Sequence, residues 1–324
     1  MKHYYPAYYA PFRCIAAACP DSCCQGWDVV VDSDTEAFYQ IVQGKFGNRL
    51  RQAIYTDSDG DRVFRLAGQK KCPFWGEDKL CDIYRKLGEE HLCATCAQFP
   101  RLTMEYADFC EHSLALACPE AARLIVGTDN AYDGFVHTDA KGCEAYSAEL
   151  MQTLLHMRSQ TALLLTADKP LSERLKDALC YNRKAQDGIS PYDEGASTPD
   201  CAAALSELFG ELEYIDDNNR RVIIQACGDA GLSDNETQLT RLALYCLFRY
   251  YLNAVDTLDV LTPIKHTVIS VILISNLAQT FPIEKAAQLY SKETEQSYEN
   301  MERLFDAFAY DPRFSSDSII TLLH

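Results

Sequence analysis

Positive charge is scarce in this sequence: 30 Lys and Arg stand against 47 Asp and Glu over 324 residues, a formal net charge of −17. Nucleic acids and anionic membranes need basic footprints, so neither is an expected partner. Long apolar runs are missing as well. The most apolar stretch, VISVILISNLA (268–278), covers eleven residues with two serines and an asparagine, short of the roughly 20 needed to cross a bilayer. It predicts a buried core helix and no membrane insertion. There is no glycine-rich strand-to-helix loop of the kind that cradles a nucleotide in doubly wound folds, no repeat of fixed period and no low-complexity tract. The opening MKHYYPAYYAPF has aromatics and two prolines where a signal peptide would have a charged start and an apolar core. This predicts a cytoplasmic protein, whose thiols stay reduced.

Cysteine is abundant. Ten of the 15 fall before residue 120: Cys14, Cys19, Cys23, Cys24, Cys72, Cys81, Cys93, Cys96, Cys110 and Cys118. The other five, Cys143, Cys180, Cys201, Cys227 and Cys246, are scattered singly among apolar helical surroundings and are expected to pack as small hydrophobes. A dense thiol pattern in a reducing compartment points to metal or catalysis ahead of disulfides. Thiolates suit zinc or iron-sulfur clusters. The pair Cys93-Ala-Thr-Cys96 has the compact spacing that lets two sulfurs from one turn reach one metal. The pattern is not C-x3-C-x2-C, because Cys19-x3-Cys23 is followed at once by Cys24. It also departs from ferredoxin runs and from zinc-ribbon pairs. Adjacent Cα atoms are about 3.8 Å apart and their side chains diverge, so Cys23 and Cys24 are expected to point to different places. Gly26 would allow close backbone approach to a cluster, and Trp27 would shield it or simply pack in the core.

The charge is uneven. Residues 1–127 carry 14 Lys and Arg and 17 Asp and Glu, which leaves −14 of the −17 to the remainder. That acidic remainder could attract basic substrate segments or serve solubility alone. Organisation predicts a mainly α protein: an irregular, cysteine-rich metal-binding part over residues 1–127 with few short strands, and an all-α helical part over 145–324. The polar segment GTDNAYDGFVHTDAKG (127–142) reads as a linker or loop between them. WDVVVD (27–32) predicts a strand entering a helix capped by Ser33 or Asp34. YTDSDGDRVFRL predicts a turn or hairpin. DSDGD lacks the closing glutamate of a calcium loop. LCDIYRKLG and CPEAARLIVG predict short helices ending on glycine. Beyond the linker the pattern is helical, beginning with Leu150, Leu154, Leu155 and Met157 on one face, and GISPYDEGASTPD (188–200) reads as a loop.

The order CIAAACPDSCCQGW, CPFWGEDKLCDIY, LGEEHLCATCAQFPR, EHSLALACPEAARL resembles the flagellin lysine-N-methylase (FliB-type) family over roughly residues 4–126. Cys19-x3-Cys23-Cys24, Cys72, Cys81-Asp-Ile-Tyr and Cys96-x2-Phe-Pro are more loosely similar to the YkgJ-type cysteine-rich zinc- or iron-chelating proteins. The first resemblance implies methyl transfer from S-adenosylmethionine to ε-amino groups of flagellin lysines, with an iron-sulfur cluster, [4Fe-4S], in the enzyme. The family's cysteine pattern falls on Cys14, Cys19, Cys23, Cys24, Cys72, Cys81, Cys93, Cys96 and Cys118, with Cys110 outside it. Nine thiols exceed the four of one cluster, so a second centre exists or several are structural. The positions shared with the looser family suggest Cys72, Cys81, Cys96 and one of the 19–24 group for one cluster, with the methyl donor near it.

Lysine methylation needs a neutral amine, and free lysine has a pKa of about 10.4, so the site must desolvate the amine or supply a base. Glu111, His112, Glu120 and Tyr84 lie beside the cysteine motifs and are the catalytic candidates, although a structural hydrogen bond is the commoner role of such groups. Two other readings stay open: a non-enzymatic zinc- or iron-binding module with a helical interaction part, and an iron-sulfur redox protein.

Overall fold

The computed structural model describes residues 1–128, 146–195, 200–228 and 231–323, together with the backbone of 134–137. Its strands are β1 (Lys2–Tyr5), β2 (Ile54–Thr56), β3 (Arg62–Phe64), β4 (Arg101–Glu105), β5 (Phe109–Leu114) and β6 (Gly134–His137). The helices of the first 127 residues are α1 (Ser33–Ile41), α2 (Gly44–Ala53), α3 (Asp82–Leu87), α4 (Ala94–Gln98) and α5 (Pro119–Gly127). Then follow α6 (Ala148–Leu165), α7 (Leu171–Ile189), α8 (Cys201–Gly210), α9 (Asp217–Gly228), α10 (Glu236–Tyr250), α11 (Ala254–Thr257), α12 (Thr262–Leu277), α13 (Ile283–Glu293), α14 (Tyr298–Tyr310) and α15 (Ser316–Ile320). The chain is mostly helical with a few short strands. The described chain packs as two compact units, one of residues 13–102 and 118–120, the other of 1–12, 103–117 and 121–324. The division expected near residues 127–144 lies mostly outside the described residues.

In the larger unit the sheet runs β4-β5-β1-β6. β1 pairs parallel with β5, Lys2 opposite Phe109 and Tyr4 opposite Glu111, and antiparallel with β6, Lys2 opposite His137. Neither the opening HYY nor the FCEHSL of β5 was legible as strand: β5 is buried along its whole length, so it lacks the alternation that marks a half-buried strand. The linker reading of 127–142 needs one correction, since its GFVH forms the edge strand β6.

VISVILISNLA lies in α12 up to Leu277, with Ala278 as its C-cap, and every residue of the helix is buried. A helix apolar on all sides belongs at the centre of a bundle, and α7, α9, α10, α13 and α14 pack on it. Two of its polar members are paired within the bundle: Lys265 pairs with Glu194 at 2.6 Å and donates to the Phe308 carbonyl at 2.9 Å, and Asn276 donates to the Ala226 carbonyl at 2.9 Å. The expected face of α6 shifts by one position. Its buried stripe is Met151, Leu154, Arg158, Thr161 and Leu165, because a charged residue can occupy an apolar stripe when its partner is buried with it. The run IEKAAQLYSKETEQSYENMERLFDAF divides into α13 and α14, with the Ser297 hydroxyl accepting the Asn300 N–H as a new cap.

In the smaller unit Asp32, ahead of the expected Ser33 or Asp34, caps α1 by accepting the Thr35 N–H at 2.9 Å. WDVVVD contributes only an isolated bridge between Val30 and Val63. The DSDGD turn joins β2 to β3, with Gly60 at φ 92° and the Asp57 carboxylate accepting the N–H groups of Asp59 and Asp61.

Candidate functional site

All nine cysteines of the motif, Cys14, Cys19, Cys23, Cys24, Cys72, Cys81, Cys93, Cys96 and Cys118, fall in the smaller unit, and Cys110 falls in the larger one. Cys110 sits in β5 with its thiol 2.9 Å from the Met1 sulfur. The core of the smaller unit is Val29, Val31, Tyr39, Leu50, Phe64, Phe74 and Ile83 together with Cys72 and Cys93, and Cys24, Cys81, Cys96, Trp27 and Trp75 pack against it.

Short backbone contacts bring the segments together. The Cys72 N–H donates to the Cys24 carbonyl at 2.8 Å, and the Gly26 N–H to the Lys70 carbonyl at 3.0 Å. Gly26 has φ 109°, a conformation that a side chain would strain. Cys81 and Cys93 are the capping residues of α3 and α4. α4 is pinned by Asp32, whose second oxygen accepts the Ala94 N–H at 2.8 Å, and by Thr95, whose hydroxyl donates to the Val30 carbonyl at 3.0 Å. These bonds hold the Asp32 carboxyl below the usual carboxylate range. Trp27 stands 5.7 Å from the Phe99 ring.

Electrostatic neighbourhoods sort the thiols. Cys96 hydrogen-bonds Cys93 and lies near Cys24 and Cys72, while Cys72 lies near Cys81, Cys93 and Cys23. Cys19 lies near Cys23 and Cys14. Cys24 is half-buried against the core and Cys23 is exposed, so the adjacent pair sits in two different surroundings. Burial, reinforced by neighbouring thiolates, pushes Cys72 up to about 12 and raises Cys81, while the hydrogen bond with Cys93, and after it burial, raises Cys96. Within the coupled pair the Cys96 thiol keeps its proton and Cys93 is the first to ionise. The fourteen cysteines among the described residues are free thiols; Cys143 lies outside those residues. Soft, reduced donors crowded in one unit match the chemistry of an iron-sulfur or zinc site, because a bound cation favours the thiolate form that burial disfavours. Among the described residues, no three Cys, His, Asp or Glu side chains already converge on one metal position.

The four catalytic candidates divide between the two units. Tyr84 is exposed on α3, and Glu120 is in the first turn of α5, both in the smaller unit. Glu111 and His112 are neighbours on β5 in the larger unit and belong to opposite faces of the sheet. Glu111 is buried and accepts both ends of the Arg158 guanidinium at 2.7 and 2.6 Å. His112 has Nε2 2.9 Å from His3 Nδ1 and Nδ1 3.0 Å from the Thr103 hydroxyl, with the Tyr5 ring stacked at 4.3 Å. Burial and His3 push its pKa down. Arg158 was missed by sequence reasoning, though the charge at a three- and four-residue interval inside the Met151, Leu154 stripe was a usable signal.

Comparison with known proteins gives three matches, each 30% identical over 131 residues, or 39% of this chain. The flagellar biosynthetic protein FliU of Salmonella muenchen is covered over 78% of its length. The lysine-N-methylases of Salmonella typhimurium and Salmonella choleraesuis are each covered over 33%, so the match spans a third of those relatives. No family model and no solved structure matches.

Proposed function

Because this chain belongs to the family of FliU and the Salmonella lysine-N-methylases, we propose that it is an S-adenosylmethionine-dependent protein-lysine N-methyltransferase acting on flagellin. The observation that carries the reading is the segregation of the motif's nine cysteines into one unit of a chain with this family membership. Cys72, Cys81 and Cys96, with Cys23 or Cys24, would hold a [4Fe-4S] cluster, which supplies a Lewis-acidic, redox-active iron when bound.

The reaction needs a deprotonated lysine. Its nitrogen lone pair forms the new C–N bond as the methyl carbon leaves the sulfonium; the C–S electron pair stays on sulfur, giving S-adenosylhomocysteine, and the amine loses its remaining extra proton to base or water. Glu111 is committed to Arg158 through both of its carboxylate oxygens. His112, whose pKa burial and His3 push down, is the remaining candidate of this pair for the base, in a sheet face where its two ring nitrogens contact His3 and the Thr103 hydroxyl.

The test is incubation of anaerobically purified protein with labelled S-adenosylmethionine and unmodified flagellin, followed by mass analysis of lysines. Label on lysine ε-nitrogens is expected. An intact cluster with no label on lysine would refute the transferase reading in favour of an iron-sulfur redox protein. Stable zinc with no donor binding would favour a non-enzymatic module.

A further inference from the structure

The larger unit contains a polar lane that the cysteine centre does not use. Arg249, in the last turn of α10, donates from Nε to the Tyr250 hydroxyl at 2.8 Å, and that hydroxyl donates to Glu295 at 2.9 Å. Glu295 is 8% exposed, and its other oxygen accepts the Ser291 hydroxyl. The Tyr245 hydroxyl accepts the Leu116 N–H at 3.3 Å, and Ser270 bonds the Tyr290 hydroxyl at 2.8 Å. Next to Tyr250, with ring centroids 4.9 Å apart, His266 is wholly buried with Nδ1 unpartnered.

Arg249 is the member of this lane left incomplete. Its guanidinium lies 5.1 Å from the Tyr250 ring centre, yet among the described residues its two terminal nitrogens have no hydrogen-bond acceptor. A half-buried planar fork with free donors is the geometry that recognises a carboxylate or phosphate in two-point fashion. The opposite charge, Glu295, is one hydroxyl away and does not neutralise it directly. A phosphate would face Glu295 as a like charge, whereas an α-amino acid offers an anion to Arg249 and an ammonium to Glu295.

We infer that Arg249 anchors the carboxylate of the methyl donor's amino-acid end, with Glu295 beside it for the ammonium. The inference rests on the methyltransferase reading and goes beyond it by naming a residue for the donor. Its structural alternative is that Arg249 only complements the α10 C-terminus, so the test must separate recognition from folding.

Calorimetric binding of S-adenosylmethionine and of decarboxylated S-adenosylmethionine to the full chain does so. The wild type should bind the carboxylated donor more tightly by about 10- to 100-fold, the loss expected for a charge-assisted hydrogen-bonding partner. Arg249→Gln should lose that margin while binding the decarboxylated donor as the wild type does, and Arg249→Lys should recover part of it. Equal affinity of the wild type for the two donors overturns the inference without any variant, as does an Arg249→Gln protein that keeps the full preference. A wild type that binds neither donor refutes the methyltransferase reading itself.

Discussion

The Glu111–Arg158 pair separates a structural from a catalytic reading of a motif residue. Glu111 is 3% and Arg158 6% exposed, and the two side chains meet through paired hydrogen bonds of 2.7 and 2.6 Å, with the Arg158 guanidinium also 4.8 Å from the Phe248 ring centre. Glu111→Ala leaves a buried guanidinium without its counter-charge, a change that costs about 3–5 kcal/mol. With an m-value of about 3 kcal/mol/M in urea, the upper end for single domains, the unfolding midpoint of the larger unit should fall by roughly 1–1.7 M. The double variant Glu111→Leu/Arg158→Met removes both charges and should recover most of the loss, since apolar replacement of a whole buried pair is neutral or stabilising by about 1–4 kcal/mol. The assay is urea denaturation followed by near-ultraviolet circular dichroism, with methylation measured on the same preparations. If Glu111→Ala kept the wild-type midpoint but lost all transferase activity, the structural assignment would be refuted and Glu111 would return as a catalytic group.

Three further outcomes follow from the geometry. Cys72→Ser, Cys81→Ser and Cys96→Ser should each remove most bound iron after anaerobic reconstitution, whereas Cys110→Ser should leave it unchanged; iron analysis with absorption near 400 nm reads both. Asp32→Ala removes a cap and the anchor of α4, costing about 1–2 kcal/mol in the smaller unit; since the Asp32 carboxyl is depressed in the folded state, its contribution is present above the unfolded pKa of about 4 and disappears as pH falls, so wild type and variant should converge in acid. His266, whose pKa burial and Arg249 push down to about 3, stays neutral when folded while the unfolded chain takes up a proton below about 6.5. Stability should therefore be full above that pH and fall by up to about 1.4 kcal/mol per unit below it, and His266→Gln should flatten this slope in pH-dependent urea titrations.

What could be read from the sequence was whatever is local. The short helix LCDIYRKLG ends on Gly88, which takes φ 101°, the hairpin turns at Asp59-Gly60, and α12 follows from an apolar run too short for a membrane. The cysteine set was legible because spacing and order are one-dimensional. What escaped was set by distant partners. Arg158 reads as a flaw in an amphipathic stripe until Glu111 is placed opposite it, 47 residues away in sequence. The sheet was hidden because its strands are short, because β5 is buried along its whole length, and because Lys2 and Phe109 become neighbours only when the chain between them is folded. The same long-range placement assigned Asp32, and not Ser33 or Asp34, to the cap of α1, since that carboxylate also serves Ala94.

The parallel pairing of β1 with β5 makes residues 13–102 a crossover between two adjacent strands. During synthesis the first strand emerges without its partner and waits for the whole cysteine-rich segment to leave the ribosome. Closing a floppy loop of that length is entropically costly, although the cost rises only by about 0.6 kcal/mol per doubling. A crossover already condensed around its thiols presents a much shorter effective loop. Condensation of the cysteine-rich insert and closure of the host sheet are therefore coupled: the more compact the insert, the shorter the loop that the pairing of β1 with β5 has to close.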